Sequence, residues 1–197
     1  MSGSTRDKLL DTAETLFAER GFYGVSIANI ASELGLTKQA LLHHFSTKEK
    51  LYGEVLKRIS DGFEASQSAA LNSKASALDQ FVAYVVNLVP QTETDKQRTR
   101  LLMRELLDNR QRADTASTWY LKPFLNKMVD MLRKVEGCAG LSENEALTIG
   151  YQFLGAINYY GISGPTIRGI FGEVNGQEVD REFPKQLENL IRRTLSV

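Results

Sequence analysis

The sequence has very few of the residues that form disulfides or metal sites. Among its 197 residues there is one cysteine, Cys138, and there are two histidines, His43 and His44. One cysteine excludes an internal disulfide and a multi-cysteine metal site, and it fits a reducing compartment. No apolar run approaches the roughly 20 residues of a membrane-spanning helix, and no signal-peptide pattern is found. We therefore expect a cytoplasmic protein that uses no metal and no cofactor.

The sequence also lacks an excess of either charge, because 24 basic residues balance 24 acidic ones. Total charge therefore gives no support to nucleic-acid binding, and any basic surface must be local. Outside the histidine pair there is no nucleophile–histidine–acid set. There is also no glycine-rich phosphate loop after a strand and no metal-ligand spacing. These absences weaken an enzyme as an interpretation.

Strand signals are scarce, and the first 50 residues carry the start and stop signals of three short helices. Ser4 can cap the first of them, and Gly21 can end it. Ser26 and Thr37 look like the N-caps of the second and third helices, and Gly35 interrupts the apolar pattern between them. The sequence thus predicts two helices joined by a tight turn that contains glycine.

Longer helices are predicted from a capping box at Ser46 and Glu49 onward. Their approximate bounds are 47–71, 76–90, 95–109, 113–136, 142–161 and 178–195. Pro123 should kink the fourth of these helices or mark its start. The stretch 161–177, GISGPTIRGIFGEVNGQ, is predicted to be a connector, because it lacks the lysine and Ser/Thr of a phosphate-binding loop.

The predicted fold is all-α, with about nine helices in two domains. Residues 1–50 are predicted to form a three-helix unit that contains a helix-turn-helix, and residues 51–197 are predicted to form a larger helical bundle. The helix that begins at Thr47 is shared by the two.

A helix-turn-helix can place its second helix in the major groove of DNA. On a helical wheel one side of that helix carries Lys38, Gln39, Leu42 and His43. The other side carries Ala40, Leu41, His44 and Phe45, which would pack on the preceding helix. The first side offers a cation, an amide and an imidazole, which can contact base edges and phosphates. The same geometry occurs in proteins that never bind DNA, so a partner-binding module stays open as an alternative.

The motifs AETLFAERGF, VSIANIASELGLTK and LLHHFSTKEKL resemble the DNA-binding region of TetR-family transcriptional regulators. The resemblance extends over about a quarter of the chain. It implies that the duplex is contacted by Thr37, Lys38, Gln39, Ala40, Leu42, His43 and His44. It also implies that phosphates are held by Ser26, Ala28 and Lys48. The resemblance further implies that residues 1–50 are a helix-turn-helix DNA-binding domain and that residues 51–197 are a ligand-binding and dimerisation domain.

Two positions in this predicted site need comment. The family usually has a tyrosine where this chain has Leu42, so a phosphate hydrogen bond is lost, although leucine could still touch a thymine methyl group. Of His43 and His44, one is expected to contact DNA and the other to pack at the helix end. The sequence does not decide which.

The larger half carries bulky side chains that could line a cavity for a small molecule. These candidates are Phe63, Phe81, Tyr84, Met103, Trp119, Phe124 and Phe153, and the alternative for each is plain core. Arg104 and Glu105 could form a buried polar pair that fixes a ligand, or an outward-facing salt bridge.

The segment 142–161 is apolar nearly all round, so its helix needs two partners, or else it is fully internal. One partner could be a second subunit, as the resemblance also implies, with Gly150, Gly155 and Ala156 permitting close approach. The predicted dimer interface comprises Ile149, Gly150, Phe153, Ala156, Ile157, Tyr160, Phe183, Leu187, Leu190 and Ile191. A two-fold dimer would match a palindromic operator.

These patterns and the resemblance predict a homodimeric repressor that a small-molecule ligand releases from a palindromic operator. The alternative is a helical partner-binding module that no longer responds to a ligand or binds DNA.

Overall fold

The computed structural model describes residues 4–70, 74–108 and 122–196. In these ranges the chain forms nine α-helices and no strand, which confirms the predicted all-α fold. The helices are α1 (Thr5–Arg20), α2 (Ile27–Glu33), α3 (Lys38–Phe45), α4 (Lys48–Ala70), α5 (Ala77–Val86), α6 (Glu93–Asp108), α7 (Lys122–Leu132), α8 (Glu143–Phe171) and α9 (Glu173–Leu195). None of the helices in the described part of the chain is long and apolar enough to cross a bilayer.

The chain divides into two compact units. The first unit comprises Met1–Gly62 and Thr92–Tyr120, and the second comprises Phe63–Gln91 and Leu121–Val197. Helices α1, α2, α3 and α6 therefore belong to the first unit, and α5, α7, α8 and α9 belong to the second. The proposed division of roles at residue 50 stays a prediction.

In the first unit, α1 packs against α2 and α6, and α2 packs against α3. The apolar face predicted for α1 is buried, with Leu9, Ala13 and Phe17 fully inaccessible to solvent. Leu41 of α3 and Leu101 of α6 are buried in the same unit. This core fixes the short helices, which are too short to be stable on their own.

In the second unit, α8 packs against α7 and α9, and α5 packs against α7 and α9. The centre of this bundle is an apolar cluster that includes Phe81, Tyr84, Met128, Phe153 and Ile191. Hydrophobic burial is therefore the main stabilising term in the second unit.

The predicted connector at 161–177 is wrong. Helix α8 continues through Pro165 to Phe171, and only Gly172, at φ 85°, separates it from α9. Arg168 pairs with Glu173 across this break, with Nε and Oε1 3.2 Å apart, and also pairs with Asp180. These ion pairs stabilise helical geometry on both sides of a single glycine, which local composition did not indicate.

The start of α4 also differs from prediction. Thr47, rather than Ser46, caps this helix, because its Oγ1 accepts a hydrogen bond from the Lys50 N–H at 3.2 Å. Ser46 instead ends α3, with a left-handed φ of 53°. For the helix predicted at 113–136, residues 113–121 lie outside the described residues. Pro123 lies in the first turn of α7, where its missing N–H leaves no hydrogen bond unmade.

Candidate nucleic-acid interface

Local hydrogen bonds build the helix-turn-helix as predicted. Oγ of Ser26 accepts from the Asn29 N–H at 3.1 Å, and Oδ1 of Asn29 accepts from the Ser26 N–H at 3.1 Å. Gly35 lies in the turn with φ 66°, a left-handed conformation that favours glycine. Oγ1 of Thr37 accepts from the Ala40 N–H at 3.2 Å and so begins α3. Four residues, 34–37, therefore separate α2 from α3.

Helix α3 has one anchored side and one open side. Leu41 and Phe45 are buried and hold the helix in the first unit. Lys38, Gln39 and His43 are exposed, whereas Ala40 and Leu42 are half-buried. Since these side chains have the chemistry to contact base edges and phosphates, the open side is the candidate DNA-contacting surface.

The expectation that one histidine packs at the helix end is wrong. His43 and His44 are both exposed, with their ring centroids 5.8 Å apart. Phe45 closes the end of α3 instead, and the guanidinium of Arg6 lies 5.0 Å from the centroid of its ring. Both imidazoles are thus accessible to a ligand.

The predicted phosphate contacts lie in different environments. Ser26 and Ala28 are exposed, but the Ser26 hydroxyl donates to Oδ1 of Asn29 at 2.5 Å and is engaged in capping α2. Lys48 is half-buried, and its Nζ lies 4.2 Å from the centroid of the Phe22 ring. Of the three predicted phosphate contacts, Lys48 is the charged one, and its contact with the Phe22 ring defines the position of the ammonium group.

A buried polar network joins α1 to α4 and α6 in the same unit, and sequence reasoning missed it. The carboxylate of Glu14 is buried in α1 and accepts from Nη2 of Arg58 at 2.5 Å and from Nε of Arg98 at 2.8 Å. Asp11 accepts from Nη1 of Arg58 at 2.7 Å. The signal that could have found it is Glu14 itself, a charged residue on the otherwise apolar face of α1.

Arg104 and Glu105 follow neither predicted arrangement. The Tyr52 hydroxyl donates to Oε2 of the buried Glu105 at 2.6 Å. Nη2 of Arg104 donates to the carbonyl oxygen of Glu19, near the end of α1, at 2.9 Å. Both residues therefore connect α6 to other helices of the first unit.

The predicted ligand residues are divided between the two units. Phe81, Tyr84, Phe124 and Phe153 pack in the core of the second unit, where the Tyr84 and Phe124 rings stack at 5.7 Å and Phe63 is half-buried. Met103 belongs to α6 in the first unit. Trp119 lies outside the described residues. A ligand-binding role for this set stays a prediction.

Described residues of the second unit line two further cavities. One, of about 300 Å³, lies between α8 and α9 and is lined by Tyr159, Tyr160 and Phe183, with the Arg168–Asp180 pair among its walls. The other, of about 250 Å³, lies between α5 and α7 and has two lysines and Asp130 in its walls.

Most of the predicted interface residues are covered by their own chain. Gly150, Phe153, Ile157, Leu187 and Ile191 are buried, and Ile149, Ala156, Tyr160 and Phe183 are half-buried. A Cβ on Gly150 would lie 2.3 Å from Cε of Met128, so the close approach that this glycine permits is to α7 of the same chain. Of the predicted set only Leu190, at 49%, is exposed.

Other apolar side chains on α8 and α9 are exposed and were not predicted. They are Tyr151, Tyr159, Ile162, Ile170, Phe171, Val174 and Val179. A surface for a second copy would consist mainly of these residues, and its participation in a dimer stays untested.

Comparison with known proteins points to one family. Residues 9–55 match the family described as bacterial regulatory proteins, tetR family. The chain is 35% identical over 77 residues to the HTH-type transcriptional repressor KstR2 of Mycolicibacterium smegmatis. That alignment covers 39% of this chain and 38% of the repressor. The chain thus matches about two-fifths of this relative's length.

Solved structures with the same fold cover nearly the whole chain. The fatty acid degradation regulator FadR from Bacillus halodurans has a TM-score of 0.72 at 15% identity, with 97% of this chain and 96% of that chain covered. A protein from Saccharomonospora viridis in complex with choline has a TM-score of 0.66 at 23% identity, with 90% and 94% covered. KstR2 is named as a transcriptional repressor, in agreement with the interpretation that the chain is a regulator and not an enzyme.

Proposed function

We propose that the chain is a member of the tetR family of bacterial regulatory proteins, whose model matches residues 9–55, and that it is a homodimeric repressor released from a palindromic operator by a small molecule. Helix α3 contacts the bases, residues flanking it hold phosphates, and the C-terminal domain carries the ligand and the dimer interface. The observation that carries this proposal is the open side of α3.

Direct base contact is supported by the two sides of α3, one of which is buried in the first unit while the other is exposed. Leu41 and Phe45 fix the axis of α3, so that Lys38, Gln39 and His43 project together from the first unit. An amide such as that of Gln39 can donate to and accept from adenine at once, whereas a cation contacts guanine or a phosphate. Leu42 is half-buried and offers only an apolar contact, which suits a thymine methyl group.

A second copy is supported by the exposed apolar residues of α8. Tyr151, Gly155, Tyr159 and Ile162 are exposed at a spacing that places them on one face of the helix. Covering such a face removes apolar area from water. A dimer would present two copies of α3, which fit half-sites about 34–36 Å apart or a multiple of that distance.

Release by a ligand follows from linkage between two sites. A small molecule that binds the C-terminal domain more tightly when the two α3 helices are spread lowers operator affinity by the same coupling energy, and a few kcal/mol suffice. The structure with choline is one protein of this fold that contains a small molecule.

Selection of bound fragments from random duplexes tests the proposal most directly. We expect one palindromic sequence to be enriched, with an affinity that falls steeply as salt rises. Lys48→Ala should weaken binding to every duplex, while Gln39→Ala should change the preferred sequence at one position per half-site. A strictly monomeric chain that binds no duplex at low salt would instead favour the partner-binding module.

A screen of metabolites tests the ligand. Operator affinity should fall at saturating concentrations of at least one small molecule. If none changes operator affinity, the chain represses without a ligand, and that part of the proposal fails.

A further inference from the structure

A lysine, a buried ring and an exposed phenol adjoin at the start of α4. Nζ of Lys48 lies 4.2 Å from the centroid of the Phe22 ring. The Tyr23 ring meets Phe22 edge-on, with centroids 5.3 Å apart and planes at 84°. Phe22 is buried, Lys48 is half-buried and Tyr23 is 66% exposed. We call Phe22, Tyr23 and Lys48 the aromatic corner.

We propose that the aromatic corner binds a phosphate of the DNA backbone. Phe22 is a positioning residue that holds the Lys48 ammonium, and Tyr23 is a further contact that donates its hydroxyl hydrogen to the phosphate. This inference rests on the proposed DNA-binding function and adds two residues that the helix-turn-helix pattern did not indicate.

The contact of the Lys48 ammonium with the Phe22 ring is compatible with binding a phosphate. A ring face attracts an ammonium through its quadrupole, yet it carries no net charge. The contact with Phe22 therefore gives Lys48 a position, and this contact does not itself offset the positive charge. An unrestrained lysine would lose rotamer freedom when it bound a phosphate, and holding it beforehand reduces that loss.

Tyr23 contacts Phe22 with its ring but is otherwise largely exposed to solvent. Its edge-to-face contact with Phe22 limits the ring, as is common for aromatic pairs. Within the described residues its hydroxyl makes no hydrogen bond, and tyrosine hydroxyls are frequent donors to phosphate oxygens. Since both side chains adjoin the same ring, the phenol and the ammonium can approach one phosphate or two adjacent ones.

The geometry can be tested without DNA. Reductive methylation with ¹³C-formaldehyde labels lysine ammonium groups for NMR, and a group above a ring face resonates upfield. We expect the Lys48 signal, assigned with Lys48→Arg, to be shifted upfield from the other lysines. The shift should vanish in Phe22→Leu and persist in Phe22→Tyr. An unshifted Lys48 signal in the wild-type chain would overturn the positioning role.

Binding to the selected operator duplex then tests the phosphate role. Lys48→Ala should lower the slope of log affinity against log salt by about 1 per bound chain. Phe22→Leu should also lower this slope, and the double variant Phe22→Leu/Lys48→Ala should have nearly the same slope as Lys48→Ala. Phe22→Tyr should keep the slope of the wild-type chain. Tyr23→Phe should weaken binding about threefold to tenfold without changing the slope, because a neutral donor displaces no counterion.

A matched control is Ser196→Ala, which removes another exposed hydroxyl, at the end of α9 in the second unit, and should leave operator affinity unchanged. If Phe22→Leu does not fold, the wild-type Lys48 shift and the Tyr23→Phe affinity decide the proposal. If the wild-type chain binds its operator while the Phe22 and Tyr23 variants keep both slope and affinity, only the aromatic corner is overturned. If the wild-type chain binds no duplex, the proposed function and the corner's phosphate role fail together.

Discussion

The two units differ in what they bury. In the described part of the chain, the buried polar or charged residues are Glu14, Ser60, Thr99 and Glu105, and all four belong to the first unit. The core of the second unit is built from apolar side chains and Cys138. One unit thus combines directional contacts with hydrophobic burial, while the other depends almost wholly on packing.

This difference has consequences for specificity. A buried carboxylate such as Glu14 stabilises only an arrangement in which its guanidinium partners are in place, because an unpaired buried charge is costly. An apolar core accepts any arrangement that fills the volume, within the limits of rotamers and cavities. The first unit, which contains the candidate DNA-contacting helix, is therefore the one whose helices are held by specific buried ion pairs and hydrogen bonds.

The largest effect on stability should come from removing a buried aromatic side chain from the core of the second unit, because this creates a cavity. Phe153 is buried, and Phe153→Ala is expected to lower the free energy of unfolding by about 3–5 kcal/mol. Leu107, in α6 of the first unit, is 75% exposed, and Leu107→Ala should change stability by less than about 1 kcal/mol. Urea denaturation followed by circular dichroism measures both. Equal losses would show that packing does not dominate the second unit.

A smaller loss should follow when the polar network of the first unit is broken. Glu14→Gln leaves Arg58 and Arg98 without their shared carboxylate, so we expect a loss of about 2–3 kcal/mol, less than for a fully buried pair because both guanidinium groups are partly exposed. Glu93→Gln is the control, since Glu93 pairs with Arg100 at the surface at 3.5 Å. The comparison fails if both variants are equally stable in urea.

The smallest effect should arise at a helix cap, where the two units do not differ. The Ser142 side chain and backbone N–H hydrogen-bond the Glu145 carboxylate and lower its pKa below the usual 4.5. This stabilisation is present above the pKa of the unfolded chain and is lost as pH falls through the lower folded pKa. Ser142→Ala should raise the Glu145 pKa and reduce Tm by about 2–4 °C at neutral pH.

An NMR titration of the Glu145 carboxyl group, together with thermal melts at neutral and acid pH, measures the cap. Ser163→Ala is a suitable control, since that hydroxyl donates to the Tyr160 carbonyl oxygen at 3.4 Å and caps no carboxylate. An unchanged Glu145 pKa in Ser142→Ala would show that the hydroxyl is not its cause.

Local signals explain what the sequence predicted well. The capping residues Ser4, Ser26 and Thr37 act on amides three residues away, so their roles depend only on nearby chain. Gly21 and Gly35 have the positive φ values that end a helix or form a turn. These short-range features were enough to define the helix-turn-helix.

Contacts distant in sequence explain the errors. The pairing of Glu14 with Arg98 joins residues 84 positions apart, which no periodicity indicates. The helix through 161–171 is stabilised by ion pairs between Arg168 and residues of α9. The glycines and the proline of this segment predicted a connector because these pairs cannot be seen from local composition. The apolar stripes of α8 were identified, but which stripe faces its own bundle depends on α7, as Gly150 and Met128 illustrate.

The link between Glu14 and Arg98 also limits how this chain can be recombined. A chimaera that grafts residues 1–62 onto another protein's C-terminal half would leave the Glu14 carboxylate facing whatever that protein has in place of α6. Under the proposed function, operator specificity is therefore better exchanged by substituting side chains on the open side of α3, or by transferring residues 92–108 together with the N-terminal segment. Under the proposed function, a change of operator sequence would face the same constraint, with the open side of α3 free to vary and α1 linked to α6.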